Sequence, residues 1–194
     1  MRVIAGTYRS RHLAAPPGLH TRPTSDRLRE TLFNVLAPRI QGAYFADLYA
    51  GSGAVGIEAI SRDARHVYFA EKAAPAAAAI RANLKSLGIT GGYTLLERSV
   101  MAMLQKQTQP LDIIFLDPPY EAEQEYTSIL HLLGSNATQS FLTPQSIVIA
   151  EHQRRTKLAD SYGRLARYRL LEQGDAALSF YKLNTDNSYL KTEI

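Results

Sequence analysis

Asp117, Pro118, Pro119 and Tyr120 stand directly after the apolar run 111–116, where a buried strand is expected to end. Each proline fixes its own φ at about −65° and lacks an N–H donor. The carbonyls of Asp117 and Pro118 are therefore held in place and can accept hydrogen bonds from a ligand. Tyr120 adds a flat aromatic face suited to stacking on a base. This D-P-P-Y stretch therefore predicts a base-binding site, with a plain proline turn and a buried aromatic ring as the alternative.

Gly51, Gly53 and Gly56 form a second motif, G-x-G-x-x-G, directly after an apolar run that contains Asp47. Glycines at this spacing let the backbone turn sharply after a strand, approach a ligand closely and pack a helix tightly on the sheet. Glu71 follows Gly51 by 20 residues and closes the next apolar run, where an acidic side chain accepts both hydroxyls of a ribose. Together these residues predict a nucleoside-containing cofactor, whereas the glycines alone also suit an ordinary strand-to-helix turn.

Strand and helix patterns alternate from Ala43 onward, which is typical of a parallel sheet built from βα units. Five such units are predicted, and the helix after Glu71 is expected to stop at Gly88. Near the C-terminus, strand patterns over 168–172 and 177–183 are separated by a turn of four residues. The sheet is therefore predicted to finish with an antiparallel hairpin.

The first 39 residues hold seven arginines and no lysine against two acidic residues, a net charge of +5, whereas the other 155 residues sum to −1. Arginine suits bidentate phosphate contacts, so this segment is a predicted footprint for nucleic acid, with a solvated charged face as the alternative. Short apolar runs over 3–5 and 13–14 predict a small hairpin. A helix is predicted to begin near Thr24 or Ser25 and to end at Pro38.

Length and composition narrow the class of protein. A chain of 194 residues that is 45% hydrophobic and 21% charged suits one globular domain. It has no cysteine, which excludes disulfides and cysteine-based chemistry, and its five histidines are too scattered to suggest a metal site. No apolar stretch is long enough for a membrane span and no signal peptide is evident, so we expect a cytoplasmic protein, acting as a monomer.

Three stretches carry a resemblance to a known family: MRVIAGTYRSR at 1–11, RPTSDRLRETLFN at 22–34 and DLYAGSG at 47–53. They are similar to the RsmD family, bacterial methyltransferases that act on the N2 amine of a guanine in 16S ribosomal RNA, over residues 1 to about 183. The resemblance implies an α/β class I methyltransferase fold, with a seven-stranded, mostly parallel, Rossmann-like sheet and an antiparallel C-terminal hairpin. It also implies S-adenosylmethionine as cofactor, no metal, and the small ribosomal subunit or an assembly intermediate as partner.

The family's motifs imply roles for individual residues of this chain. The implied catalytic residues are Asp117, Pro118, Pro119 and Tyr120. The implied cofactor-binding residues are Asp47, Tyr49, Gly51, Ser52, Gly53, Glu71, Lys72, Ser99, Val100 and Asp117, and the implied RNA-binding residues are Arg9, Arg11, Arg22 and Arg27. The chain departs from the family after the third strand, where an aspartate commonly meets the adenine amine. Ser99 stands there, and its hydroxyl accepts one such bond without carrying a charge.

We therefore expect a basic RNA-binding extension over residues 1–40, a methyltransferase domain over 41–183 and a polar tail over 184–194. Three other functions remain open. The glycine motif with Glu71 also suits a nicotinamide-dependent oxidoreductase, and the arginines also suit a non-catalytic RNA-binding assembly factor. D-P-P-Y also suits a DNA adenine or cytosine amino-methyltransferase, but the short chain leaves little room for a separate DNA-recognition domain, which favours RNA.

Overall fold

The computed structural model describes residues 1–16, 25–119 and 122–184, except for the side chain of Glu123. This part of the chain contains five helices: α1 (Asp26–Ile40), α2 (Ala54–Ser61), α3 (Ala74–Ser86), α4 (Val100–Leu104) and α5 (Glu123–Gly134). It contains eight strands: β1 (Tyr44–Leu48), β2 (His66–Ala70), β3 (Tyr93–Leu96), β4 (Ile113–Leu116), β5 (Ile147–Gln153), β6 (Ser161–Tyr162), β7 (Leu165–Gln173) and β8 (Ala176–Leu183). A short 3-10 turn over Asn136–Thr138 follows α5.

The strands form a single eight-stranded sheet in the order β3-β2-β1-β4-β5-β8-β7-β6. Strands β1 to β5 run parallel, and β8, β7 and β6 extend the sheet in antiparallel pairs. This confirms the predicted parallel sheet with an antiparallel hairpin near its C-terminus. The predicted number of seven strands is wrong, because β6 adds a two-residue edge strand that is too short to show an alternating pattern.

The order of the sheet reverses between β1 and β4. Strands β2 and β3 lie on one side of β1, whereas β4 and β5 lie on the other. The register pairs Leu48 with Leu116, so the carboxyl ends of β1 and β4 are adjacent. Ligands of open α/β sheets bind outside the carboxyl ends of strands at such a reversal. Because the glycine motif follows β1 and the D-P-P motif follows β4, the fold brings both motifs to this edge.

Helices cover both faces of the sheet and produce two buried clusters. On one face α1, α2 and α3 pack against side chains such as Phe45 and Phe115. On the other face α4 and α5 pack against side chains such as Leu48 and Leu116. Strands that are buried on both faces are continuous apolar runs, which is why the parallel strands are visible in the sequence.

Helix α1 confirms one predicted boundary and corrects the other. Ser25 is the N-cap, and its Oγ accepts a hydrogen bond from the N–H of Leu28 at 3.1 Å. The predicted end at Pro38 is wrong, because the helix continues to Ile40. Proline has a φ that suits a helix, and its missing N–H deprives only the carbonyl of Asn34, an exposed residue, of its usual donor.

The N-terminal segment (residues 1–16) pairs its two ends as the predicted small hairpin, with backbone hydrogen bonds from Val3 to Arg11 at 2.9 Å and from Leu13 to Met1 at 3.1 Å. One antiparallel bridge joins Arg2 and His12 and closes a loop between them. The loop lies against α2, where the buried carboxylate of Glu58 accepts hydrogen bonds from the N–H groups of Ile4 at 2.7 Å and Ala5 at 3.0 Å. These backbone donors bind a helix side chain instead of a partner strand, so the pairing stops at a single bridge.

The same segment packs into the main core. Val3 and Leu13 are buried in the cluster that contains α1 and β1. Ser61 lies at the end of α2. Its carbonyl accepts a hydrogen bond from the N–H of Thr7 at 2.8 Å, and its hydroxyl accepts one from the N–H of Tyr8 at 3.0 Å. The packing is therefore continuous across residue 40, and the division into an extension and a methyltransferase domain stays a proposal.

Candidate active site

The glycines of the G-x-G-x-x-G motif meet two structural needs. Gly51 (φ 55°) and Gly53 (φ 76°) adopt the left-handed conformation that side chains rarely tolerate, and Gly53 is the N-cap of α2. Gly56 is needed for packing, because a Cβ there would lie 2.2 Å from Cε1 of Phe69, which is fully buried in β2. The motif therefore sets both the turn after β1 and the distance between α2 and the sheet.

Asp47 lies beneath the glycine loop. It is 2% exposed, and its Oδ2 accepts a hydrogen bond from the N–H of Gly56 at 2.8 Å. Burial raises the pKa of Asp47 to about 8, the nearby charges of Glu71 and Glu151 add to this, and the hydrogen bond from Gly56 opposes it. In this position the carboxyl group holds the start of α2, and a direct cofactor contact by Asp47 remains a prediction.

We expect Asp47→Asn to remove part of the pH dependence of stability. A pKa raised from 3.8 to about 8 means that the folded state binds a proton more tightly than the unfolded state, so this contribution to stability is lost as pH rises through that window. The loss amounts to at most about 1.4 kcal/mol per pH unit. The amide oxygen of asparagine still accepts the Gly56 N–H but does not titrate. Urea unfolding of both proteins from pH 4 to 8 checks this, and parallel curves would contradict it.

Glu71 follows β2 and lies against the glycine loop. Its Oε2 accepts a hydrogen bond from the N–H of Gly51 at 2.9 Å, and its Oε1 accepts one from the N–H of Ala73 at 2.7 Å. A carboxylate offers about four acceptor positions. Glu71 therefore positions Gly51 and retains acceptor capacity for a ligand that lies on the loop.

Tyr49 and Lys72 converge on Glu125, a residue of α5. Tyr49 has a φ of 63°, which is uncommon for a residue other than glycine, and its hydroxyl donates to the carboxylate of Glu125. Burial, followed by this hydrogen bond, raises the pKa of Tyr49, so the phenol stays protonated as a donor. Lys72 Nζ lies 3.7 Å from Glu125 Oε1. These contacts connect the loops after β1 and β2 to the helix that follows the D-P-P turn.

Ser99 and Val100 lie at the start of α4. Ser99 is the N-cap, and its Oγ accepts a hydrogen bond from the N–H of Ala102 at 3.3 Å. Val100 is buried against the core. A hydroxyl oxygen has two acceptor positions, so the cap leaves one for another donor. Contact between Ser99 and an adenine amine remains a prediction.

The D-P-P turn lies beside the glycine loop. The N–H of Asp117 is 3.4 Å from the carbonyl oxygen of Leu48, the last residue of β1. Tyr126, buried in α5, donates its hydroxyl to the carbonyl of Glu151 at 2.8 Å and lies 3.4 Å from the carbonyl oxygen of Pro118. The turn is thus supported on one side by β1 and on the other by the ends of α5 and β5.

Of the arginines predicted to bind RNA, Arg9 lies away from this edge. Arg9, Arg11 and Arg27 are exposed, whereas Arg22 and the predicted stacking residue Tyr120 lie outside the described residues. The loop that carries Arg9 is held at the far end of α2, a helix of eight residues that begins at the glycine loop. Eight residues of helix span about 12 Å. The structure therefore does not bring Arg9 to the cofactor edge.

Several polar residues are buried in the helices that pack on the sheet, and the sequence patterns did not single them out. Arg29 is fully buried, its Nη2 donates to the carbonyl of Arg2 and to Asp26 Oδ1, and burial lowers its pKa. Glu58 and Asn83 are equally hidden from solvent. The only signal available in the sequence is a polar residue on a helix face that is otherwise apolar.

The comparison with protein families decides where this chain belongs. The model of the family described as Conserved hypothetical protein 95 matches residues 1–182. The chain belongs to this family. The resemblance to the RsmD family that the motifs carry is thereby confirmed. Because the match begins at residue 1, the N-terminal segment is part of the shared family sequence together with both motifs.

Three relatives of this chain have names that refer to methylation of ribosomal RNA. Bacillus subtilis YlbH, provisionally named an rRNA methyltransferase, is 36% identical over 94% of this chain and 98% of its own length. Ribosomal RNA small subunit methyltransferase D of Haemophilus influenzae is 35% identical over 79% of each chain. The protein of the same name from Escherichia coli is 40% identical over 62% of this chain and 60% of its own length.

Solved structures confirm the fold of this RsmD-family chain. Escherichia coli yhhF, provisionally titled a methyltransferase, has a TM-score of 0.79 and 32% identity, with 96% of this chain and 99% of that chain covered. A chain from Haemophilus influenzae, provisionally titled a methylase, has a TM-score of 0.75 and 30% identity, with 94% and 97% covered. The predicted class I methyltransferase fold is correct.

Two further observations concern residues 1–16, 25–119 and 122–184. Within these ranges no helix combines the length and the apolar character needed to cross a bilayer. Likewise, this described part of the chain holds no group of three or more histidine or acidic side chains arranged to bind a metal ion.

Proposed function

We propose that this protein transfers the methyl group of S-adenosylmethionine to the exocyclic N2 amine of a guanine in 16S ribosomal RNA. The observation that carries the proposal is the pairing of β1 with β4, which puts the D-P-P turn beside the glycine loop. The names of the relatives support ribosomal RNA of the small subunit as substrate. The choice of the guanine N2 amine as target is supported by the resemblance of the motifs to those of the RsmD family.

The edge of the sheet suits a sulfonium nucleoside. A Cβ on Gly51 would meet, among the described atoms, only the carbonyl oxygen of Tyr49 at 4.0 Å, so the loop leaves room for a ligand at close approach. The charges of Glu71 and Glu151 help to raise the pKa of Asp47, so these two carboxylates lie near it. An acidic edge favours a cationic ligand. When bound, S-adenosylmethionine supplies an activated methyl group on a positively charged sulfur.

The residues proposed to hold the cofactor surround that space. Glu71 would accept from the ribose hydroxyls, and Gly51 and Gly53 would allow the backbone to approach. Ser99 and the backbone of Val100 would lie toward the adenine. The remaining residues proposed to line or support the cofactor site are Asp47, Tyr49, Ser52, Lys72 and Asp117.

Asp117 and the carbonyl of Pro118 are proposed to act on the target amine. Guanine N2 is a weak nucleophile because its lone pair is delocalised into the ring. If the two oxygens accept hydrogen bonds from both N–H groups, the nitrogen becomes more tetrahedral and its lone pair points at the methyl group, about 3 to 3.5 Å away. The new nitrogen–carbon bond would form as the sulfur–carbon bond breaks, and the one N–H proton that the amine must then lose would pass along its hydrogen bond to Asp117. Tyr126 packs beside the turn, with its hydroxyl oxygen 3.4 Å from the carbonyl oxygen of Pro118. Tyr120, following Pro119, would stack on a base that has been turned out of its helix.

The proposed partner is the small ribosomal subunit or an assembly intermediate, met in the cytoplasm. One chain carries the cofactor loop, the D-P-P turn and the arginines, so a monomer suffices for this reaction. The exposed Arg9, Arg11 and Arg27 would contact phosphates that lie beyond the target base, together with Arg22.

Mass spectrometry of ribosomal RNA nucleosides tests the proposed function. In cells that lack this protein, N2-methylguanosine should fall by one residue per small subunit, and the purified protein should restore it on subunits from those cells. An unchanged level would contradict the proposed target. Methylation of duplex DNA in preference to the small subunit would instead support a DNA amino-methyltransferase.

Glu71→Ala should weaken S-adenosylmethionine binding about tenfold or more. The variant loses a bidentate, charge-assisted pair of hydrogen bonds to the ribose, worth about 1.5 to 3 kcal/mol, as well as the acceptor that positions Gly51. Calorimetry measures the affinity. Glu97→Ala is the matched control, because Glu97 follows the adjacent strand β3 and pairs with Arg81. Equal affinities for wild type and Glu71→Ala would remove Glu71 from the site.

Neutralising Arg9, Arg11 and Arg22 together should weaken RNA binding and reduce its salt dependence. Each phosphate contact on single-stranded nucleic acid contributes a slope of about −0.7 in log K against log salt, so three contacts contribute about two units. Filter binding of 16S ribosomal RNA over a range of salt concentrations measures the slope. The exposed cations of 154–157 supply a matched triple variant that should keep it. An unchanged slope in the first variant would mean that these arginines form a solvated face.

A further inference from the structure

Asn83 connects two parts of the molecule that the proposed function uses separately. Its side chain, 2% exposed, accepts a hydrogen bond from the N–H of Ala14 at 2.8 Å and donates one to the carbonyl of Ala14 at 3.0 Å. The amide nitrogen has a second proton, which it donates to the carbonyl of Ser52 at 3.0 Å. The hydroxyl of Ser52 also lies 3.5 Å from Met1 Sδ. One buried side chain therefore binds the N-terminal segment and the glycine loop at once.

Helix α3 extends this connection on both sides of Asn83. One turn earlier, the fully buried Ile80 packs under the loop, since a Cβ on Gly53 would lie 3.1 Å from Ile80 Cγ1. One turn later, the carbonyl of Ser86 accepts a hydrogen bond from Arg11 Nη2 at 2.8 Å. The helix thus supports the glycine loop through Ile80 and Asn83, and the arginine-bearing segment through Asn83 and Ser86.

The loop and the segment cannot shift independently without leaving buried polar groups unpaired. If the loop moves away from α3, Asn83 loses the acceptor for one of its protons, and the carbonyl of Ser52 loses its donor. If the segment moves, Asn83 loses both of its hydrogen bonds to Ala14. Unpaired buried groups are costly, so the arrangement of one part constrains that of the other. A ligand that orders either part then favours binding at the other, equally in both directions.

We propose that Asn83 is a positioning residue that couples cofactor binding at the glycine loop to RNA binding by the N-terminal segment. This inference rests on the proposed function, because it takes the loop as the cofactor site and the segment as an RNA-binding surface. Asn83 itself need not touch either ligand. Through its hydrogen bonds, a ligand that fixes the position of the glycine loop also fixes the position of the N-terminal segment, and the reverse.

Hydrogen exchange and RNA affinity, each measured with and without S-adenosylhomocysteine, test the coupling in the wild-type chain. Saturating S-adenosylhomocysteine should slow amide exchange in residues 9–14 and tighten binding of 16S ribosomal RNA about fivefold or more. If S-adenosylhomocysteine binds but changes neither quantity, the inference is overturned and the proposed function stands. If S-adenosylhomocysteine does not bind at all, both fail.

Variants assign the coupling to Asn83. Asn83→Ala should abolish both effects of S-adenosylhomocysteine, whereas a loss of stability alone would leave them in place. Thr138→Val is the control, because Thr138 is similarly buried and donates to backbone carbonyls away from the loop. It should retain the coupling. If Asn83→Ala does not fold, Asn83→Asp replaces it, since aspartate accepts from Ala14 but cannot donate to Ser52. Coupling that persists in a folded Asn83 variant would overturn the assignment.

Discussion

Asp117→Ala should lower the turnover number about a hundredfold or more while cofactor and RNA each bind within a few-fold of wild type. The proposed role of Asp117 is to accept a hydrogen bond from an N–H of the target amine as the nitrogen becomes tetrahedral. Such an interaction strengthens on the way to the transition state, so its loss affects kcat more than binding. Removing one group that stabilises a transition state by hydrogen bonding commonly costs about 100- to 1,000-fold. Single-turnover methylation of small subunits, together with separate binding measurements, checks this split.

Asp112 provides the matched control for Asp117. It precedes the same strand, β4, at the opposite end, where its Oδ2 accepts a hydrogen bond from the N–H of Tyr44 at 2.8 Å. Asp112→Ala should therefore cost some stability and leave turnover nearly unchanged. Near-normal turnover of Asp117→Ala would contradict the proposed mechanism. A loss that simply follows weaker cofactor binding would move Asp117 from the chemical step to cofactor binding.

Gly56→Ala should lower the free energy of unfolding by about 3 kcal/mol, although alanine is normally the better helix former. The added Cβ would lie 2.2 Å from Cε1 and 2.8 Å from Cζ of Phe69, and 3.0 Å from Asp47 Oδ2. Phe69 is fully buried and cannot move outward, so α2 must shift away from the sheet. Because α2 begins at the glycine loop, cofactor affinity should fall with stability. Urea unfolding and calorimetry measure the two effects.

A second substitution distinguishes this clash from a general effect of losing a glycine. Phe69→Leu makes room beside Gly56, so the double variant should be less destabilised than the sum of the two single variants. Gly91→Ala is the control, since a Cβ at Gly91 would have no described atom within 4 Å. It should change stability by less than about 0.5 kcal/mol. Additive losses in the double variant would show that the clash is not the cause.

The order of residues alone was enough to predict the parallel sheet, its two motifs and their places after β1 and β4. Strands that are buried on both faces are nearly continuous apolar runs, so 113–116 and, apart from Asp47, 44–48 stand out without any knowledge of their neighbours. The helix cap at Ser25 is similarly local, because its partner is three residues away. Local patterns failed where contacts between residues distant in sequence decided the structure. The hairpin in the N-terminal segment is limited to one bridge by contacts to Glu58, and α1 continues past Pro38 to Ile40.

The partners of the buried polar groups emerged only from the packed chain. Asn83 binds Ala14 across 69 positions of sequence, and Tyr126 binds the carbonyl of Glu151 across 25. The hydrogen bond from the N–H of Gly56 to the carboxyl group of Asp47 likewise depends on the packing of α2 on β1, which brings that N–H to it. The periodicity of a helix or strand tells which face of an element is buried. Which donor meets which acceptor depends on how distant elements pack, and no local pattern carries that information.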